Sequence, residues 1–284
     1  MITTVPSNPS RRLGRRFSGV TATLLVLVAS AGLPAQKLGK TVPWAQFPGG
    51  VSAPAAAGDL EFRTTLGDEE LGKIAARVFE LRPFYEAHFG DPLGKGWSVT
   101  VLTDIDQYNI YAKEVTKGNQ NVQGECLRAR KEVVIANSKR YGWLSTLSHE
   151  YAHAYYECNG AIWLREGVAS LVEVCEFKGG KIAIPVNRPR LNGLRQYQEK
   201  GHYESISLLL KGENEPGGYG YSYEHGWSVH YFLYTTDAKK YRTFLAEVRK
   251  KTGRDISAEV YKAFGMSLNA LDTKWKEFVK GLKD

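Results

Sequence analysis

Ser148-His149-Glu150-Tyr151-Ala152-His153, with Glu166 thirteen residues beyond the second histidine in Trp163-Leu164-Arg165-Glu166-Gly167-Val168-Ala169, is the stretch that decides the fold. Histidines at i and i+4 share one face of a helix, one turn apart, so their imidazoles can converge on a single ion. Glu150, beside the first histidine, can reach water at that ion and serve as a general base. Leu144, Leu147, Tyr151, Ala154 and Cys158 follow the three-four spacing of a separate apolar face. One side of the helix therefore packs while the other presents His149, Glu150 and His153.

A third ligand is needed. Glu157 is the nearest acid, but eight residues from His149 is about 12 Å along a helix, too far for two ligands each about 2 Å from one zinc. The places where a second helical pattern would need glycine and a third histidine hold Tyr156 and Asn159. Glu166 remains, and the Asn159-Gly160 turn can reverse the chain so that a second helix brings it back to the metal.

Working outward, residues 142–158 read as the helix that carries the histidines, and residues 164–177 as the one that carries Glu166. Upstream, residues 60–65, 97–102 and 132–136 read as strands, the last two rich in β-branched side chains. Residues 68–89 show helical spacing through Leu71, Ile74, Ala75, Val78 and Leu81, interrupted at Pro83. Downstream, residues 181–185 read as a brief strand. Residues 187–222 read as a long surface segment, with a mobile glycine-rich part at 212–220. Helices are expected at 224–234, 238–251, 256–264 and 268–282. The fold class is α+β: a small N-terminal mixed sheet with a helix, then a helical half carrying the His149–His153 helix.

The N-terminus accounts for half of the net charge of +8. Residues 1–35 carry Arg11, Arg12, Arg15 and Arg16 and no acid, and the remainder of the chain has 34 basic and 30 acidic residues, a net +4. No arginine-rich stripe with interleaved aromatics remains, so a nucleic-acid partner is not expected. The basic stretch, the apolar run from Val20 to Leu33 and the small residues Ala29-Ser30-Ala31 and Pro34-Ala35 have the layout of a secretory signal peptide. An uncleaved anchor is the competing reading, but the run is shorter than the roughly 20 residues that span a bilayer. The expected organisation is thus a signal peptide at 1–35, a Pro/Gly/Ala-rich lead-in at 36–58 and one domain over 59–284, exported and without a stable membrane span in the mature form. Cys126, Cys158 and Cys175 are too few for a disulfide framework; one pair can close in an oxidising compartment, and any of the three pairings is open.

His-Glu-x-x-His followed by Trp-Leu-x-Glu-Gly-x-Ala resembles the gluzincins of the peptidase-MA-like superfamily. Tyr223-x-x-x-Trp227-Ser228 and Ala263-Phe264-Gly265-x-Ser267-Leu268, ahead of a helix bearing Trp275, add to the resemblance. It implies a zincin-like fold, Zn²⁺ held by His149, His153 and Glu166, and hydrolysis of a peptide or protein substrate with Glu150 as base. It also implies an oxyanion donor from a later helix, at Tyr223, with His225 and His230 as alternatives. Many relatives have asparagine where this chain has Arg165, and an acid supporting a zinc histidine where it has Ser170; Glu173, on the same helical face, is the alternative support. The strand around Val133–Ile135 could pair an extended peptide by its edge, although most of its residues fit an ordinary interior strand better. Two other functions fit the same residues: a zinc-stabilised binding module without turnover, and a zinc hydrolase of another amide such as a cell-wall bond.

Overall fold

β-branched and aliphatic side chains fill strands β3 (Trp97–Leu102) and β5 (Glu132–Ala136), and these two form the buried middle of a five-stranded sheet. The computed structural model describes residues 50–54, 60–90, 93–138, 142–158, 161–178, 181–201, 205–211, 219–251 and 253–283. The expected signal peptide, the Asn159-Gly160 turn and residues 212–218 of the glycine-rich segment lie outside the described residues. The sheet order is β1-β2-β3-β5-β4, with β1 at Val51–Pro54, β2 at Leu60–Thr64 and β4 at Gly124–Leu127. β2, β3 and β5 run parallel, with Val99 opposite both Phe62 and Val133; β1 and β4 are antiparallel edges. β1 thus lies within the stretch read as a lead-in.

Helix α1 (Asp68–Phe89) covers one face of the sheet with Leu71, Ile74, Val78, Leu81 and Tyr85, all fully buried. Pro83 does not interrupt it as expected. The turn beyond is held by tertiary contacts: Tyr85 packs on Tyr151 and Tyr155, and its hydroxyl donates to the Ser148 carbonyl at 2.7 Å. That packing offsets the hydrogen bond a proline removes. On the other face, α2 (Ile105–Tyr111) buries Tyr108 and Tyr111 against Leu102, Val134 and Ala136. The Tyr111 hydroxyl donates to the buried Glu132 carboxylate at 2.6 Å, and Arg63 pairs with the same group.

The helical half begins with α3 (Leu144–Tyr155) and α4 (Ile162–Val172). A hairpin of β6 (Glu176–Lys178) and β7 (Lys181–Ala183) follows, ending α4 five residues short of expectation. The apolar face of α3 holds at Leu147, Tyr151 and Ala154; the helix ends three residues short of the expected 158, with Cys158 buried just beyond it, and Leu144, in the open first turn, is 45% exposed. The segment read as surface contains α5 (Arg188–Glu199) and α6 (Ile206–Leu210), whose buried Leu191 and Leu194, and Ile206, Leu209 and Leu210, dock them on the core. α7 (Tyr219–Thr236) starts five residues earlier than expected; α8 (Ala238–Val248), α9 (Ser257–Phe264) and α10 (Leu268–Gly281) complete the chain. The side chains of Asp237 and Ser267 cap α8 and α10, as N-cap residues should. The three cysteines are all free. Among the described residues no helix is long and apolar enough to cross a membrane.

Candidate active site

α4 and α7 cross backbone to backbone. A Cβ placed on Gly167 would sit 2.7 Å from the Gly226 carbonyl, and one on Gly226 would sit 2.6 Å from the Trp163 carbonyl. Only glycine at both positions allows this approach, which sets Glu166 on α4 beside Tyr223 on α7. Helix α3 is braced from behind. Arg77 of α1 donates to Ser148 Oγ at 3.3 Å and to the Cys175 carbonyl at 2.9 Å, tying the histidine helix to the end of the Glu166 helix.

Between α3 and α4 three lone-pair atoms converge. His149 Nε2 lies 3.2 Å from His153 Nε2 and 3.2 Å from Glu166 Oε2, and His153 Nε2 lies 3.4 Å from the same oxygen. Ligands about 2.0–2.1 Å from a tetrahedral zinc stand about 3.3 Å apart, so this triangle matches one face of such a site. The donor chemistry agrees. Glu173 accepts from His149 Nδ1 at 2.8 Å, which leaves Nε2 of the neutral ring as a lone pair aimed at a carboxylate oxygen. A ring nitrogen and a carboxylate oxygen at that range are held together by a proton or by a metal cation. Burial alone would lower the His149 pKa, but hydrogen bonds to Glu166 and Glu173 outweigh it and raise it to about 10. The pocket is thus built to hold positive charge, and the ion these residues fit is Zn²⁺.

Of the two candidates for supporting His149, Glu173 makes the contact. Ser170 is fully buried and its backbone carbonyl accepts from Asn187. Glu173 in turn receives Asn187 Nδ2 at 2.8 Å and a two-pronged Arg190 contact at 2.5 and 3.0 Å. Burial alone would raise its pKa, but His149 and Arg190 hold it down at about 2. Asn187 and Arg190 were not foreseen. The signal that would have found them is the helix-start pattern Asn187-Arg188-Pro189, with Asn187 as cap.

Glu150 stands part-buried on the open side, lining a cleft of about 900 Å³ with His149, His153, Glu166 and Tyr223. Burial raises its carboxyl pKa, against the pull of His149 and His153. The edge of the sheet reaches this point. A Cβ on Gly124 would lie 2.8 Å from Glu150 Cγ and 2.7 Å from Thr146 Cγ2, so β4 rests directly on the histidine helix. β5 pairs on both sides, with β3 and β4, so it is the interior strand of the two readings, and β4 is the edge that faces this side.

The Tyr223 ring stacks on His149 with centroids 5.8 Å apart, and the Arg190 guanidinium lies 4.8 Å over the same ring. His225 and His230 do not reach the cleft. His225 stacks on Trp275 in the core, and His230 Nδ1 lies 2.8 Å from the Tyr241 hydroxyl. Burial lowers both pKa values to about 3, so the two rings are neutral packing residues. Glu157 is paired with Arg128 at 2.5 Å, clear of the metal triangle.

No family model matches the chain, and no curated protein matches it. Among solved structures, native yeast LTA4 hydrolase superposes with a TM-score of 0.52 at 16% identity, over 79% of this chain and 38% of that one. An M1 zinc metallopeptidase from Deinococcus radiodurans gives 0.43 at 16% identity, over 86% of this chain and 52% of that one. The chain spans well under half the length of the first and about half of the second. At this identity the likeness is one of fold: a zincin-like α+β domain, with a small mixed sheet and a helix followed by a helical half that carries the His149–His153 helix.

Proposed function

We propose that this protein is a zinc-dependent peptidase of the gluzincin type, with His149, His153 and Glu166 holding the metal. The observation that carries the reading is the triangle of 3.2, 3.2 and 3.4 Å between the three donor atoms, with Glu150 beside it in the same cleft. Zn²⁺ bound there would acidify a water and polarise the scissile carbonyl.

The chain's own groups divide the rest of the work. Glu150 takes a proton from the attacking water as its oxygen adds to the carbonyl carbon, then passes it to the amine as the C–N bond breaks. Tyr223, held between His149 and Arg190, donates its hydroxyl proton in a hydrogen bond to the developing oxyanion. Glu173 fixes the His149 ring and its tautomer. An extended substrate can add to the free edge of β4 as a further strand, which brings its backbone alongside Glu150. Residues 1–35 direct export, and the native protein should then begin near Gly32 or Gln36; a mature chain beginning at Met1 would refute that.

The test separates the base from the ligands. Glu150→Gln keeps shape but cannot accept a proton, so zinc content and melting temperature should stay near wild type. Hydrolysis of a chelator-sensitive peptide should fall roughly 10²–10⁴-fold. Wild-type turnover in zinc-loaded Glu150→Gln would overturn the mechanism.

A further inference from the structure

Among the described residues the cleft holds one arginine without a partner. Three arginines line it, and no lysine among the described residues does. Arg128 donates to the His153 and Ala154 carbonyls and pairs with Glu157. Arg190 is committed to Glu173 and Glu224. Arg165, in the first turns of α4 and adjacent to Glu166, makes no hydrogen bond, ion pair or ring contact among the described residues, and its Nε is buried. A buried donor left without an acceptor works against the fold, so its presence calls for a partner that arrives from outside. The acids nearest in sequence are no substitute: Glu166 faces the histidine pair, and Glu157 is taken by Arg128.

We propose that Arg165 is a carboxylate-binding residue, and that the preferred substrate carries a carboxylate next to the bond that is cut. This rests on the peptidase reading above. The guanidinium fork matches a planar carboxylate with two parallel hydrogen bonds, and peptides offer that group in two forms, an acidic side chain or a free C-terminus. Arg165 lines the same cleft as His149, His153 and Glu166, so a carboxylate bound to it lies in the cleft where the bond would be cut. The position accordingly sets specificity without taking part in proton transfer.

Three pools of otherwise identical degenerate octapeptides decide the matter: one neutral with an amidated C-terminus, one amidated with a single Glu, and one neutral with a free C-terminal carboxylate. Cleavage of each by the zinc-loaded protein is followed by mass spectrometry. Retention of each is measured on immobilised Glu150→Gln protein, which binds without turnover. Wild type should favour one carboxylate pool over the neutral pool by roughly 10–100-fold, the range for a hydrogen-bonded charge, and that pool names the source. Arg165→Gln should bring it down to the neutral level in both assays with zinc content unchanged. Arg165→Lys, which keeps the charge and loses the fork, should retain part of the preference. Equal handling of the three pools by wild type, or a preference that survives Arg165→Gln, overturns the proposal. If wild type cleaves no pool, the peptidase reading fails, and retention on the Glu150→Gln column still decides the role of Arg165.

Discussion

Gly226→Ala puts a methyl group where α7 touches α4. Its Cβ would lie 2.6 Å from the Trp163 carbonyl oxygen and 3.2 Å from Gly167 Cα. Both are backbone atoms and cannot swing aside. Restoring ordinary contact, which begins at 3.4 Å, requires the helices to part by about 0.8 Å along the worse contact. Overpacking of this kind typically costs about 1–3 kcal/mol, and at about 2–4 °C per kcal/mol the melting temperature should fall on the order of 2–12 °C. Metal–ligand distances tolerate only about 0.2 Å, and Glu166 neighbours the displaced Gly167. Zinc affinity should therefore drop as well, by roughly the 10–100-fold seen when the support of a ligand is lost. Gly72→Ala is the control: it lies in α1 with nothing within 4 Å of the new Cβ, and should stabilise by about 0.4–1 kcal/mol. Thermal melts of chelated and zinc-loaded protein, with zinc titrated against a competing chelator, give both numbers. A Gly226→Ala protein that melts with wild type and binds zinc as tightly would refute the account of how Glu166 is placed.

Glu173→Gln should leave the protein folded while weakening zinc by roughly 10–100-fold in the same titration; unchanged affinity would remove Glu173 from the site. Tyr223→Phe should keep the metal and lower kcat by roughly 10²–10³-fold, the usual loss for one oxyanion donor, and an unaltered kcat would assign the ring to packing alone. Stability should also follow pH. Burial holds His225 and His230 at about 3, so below pH 6.5 the unfolded chain binds more protons and stability falls toward pH 3. In chelated protein His149, raised to about 10, contributes stability that is complete below pH 6.5 and lost between there and pH 10, at about 1.4 kcal/mol per pH unit. Zinc takes the proton's place, so only chelated protein should lose stability on the alkaline side; identical melting profiles with and without zinc from pH 6.5 to 10 would contradict this.

The candidate metal group was legible because helical geometry turns the spacing of His149 and His153 directly into a shared face. Glu166 was legible because thirteen residues allow one reversal and little else. Strands β3 and β5 announced themselves through their Val and Ile content. β4 did not: Gly124-Glu125-Cys126-Leu127 neither alternates nor favours strands, and it is a strand because β5 pairs with it. β5 itself reads as an interior strand for most of its length, and pairing with β3 and β4 makes it one. Arg190 sits in a segment whose polar composition hides the narrow stripe of Leu191 and Leu194. Its contacts with Glu173 and Tyr223 join residues seventeen and thirty-three positions away, and no local pattern encodes them. Tyr223 came first from the resemblance, with His225 and His230 behind it; that Tyr223 lines the cleft and the two histidines do not needed the third dimension, since all three fall on one helix and the crossing at Gly226 decides which face turns to the cleft.

Arg190 has one hand on each half of this site: its fork holds the carboxylate that orients His149, and its plane lies over the ring of Tyr223. If zinc and substrate bind as proposed, both meet a common residue, and thermodynamic linkage makes the relation reciprocal. A substrate analogue that engages Tyr223 and settles Arg190 must tighten zinc by the same factor by which zinc tightens the analogue. Measuring the zinc affinity at several analogue concentrations yields that coupling, and Arg190→Lys, which gives up the fork, should shrink it toward unity.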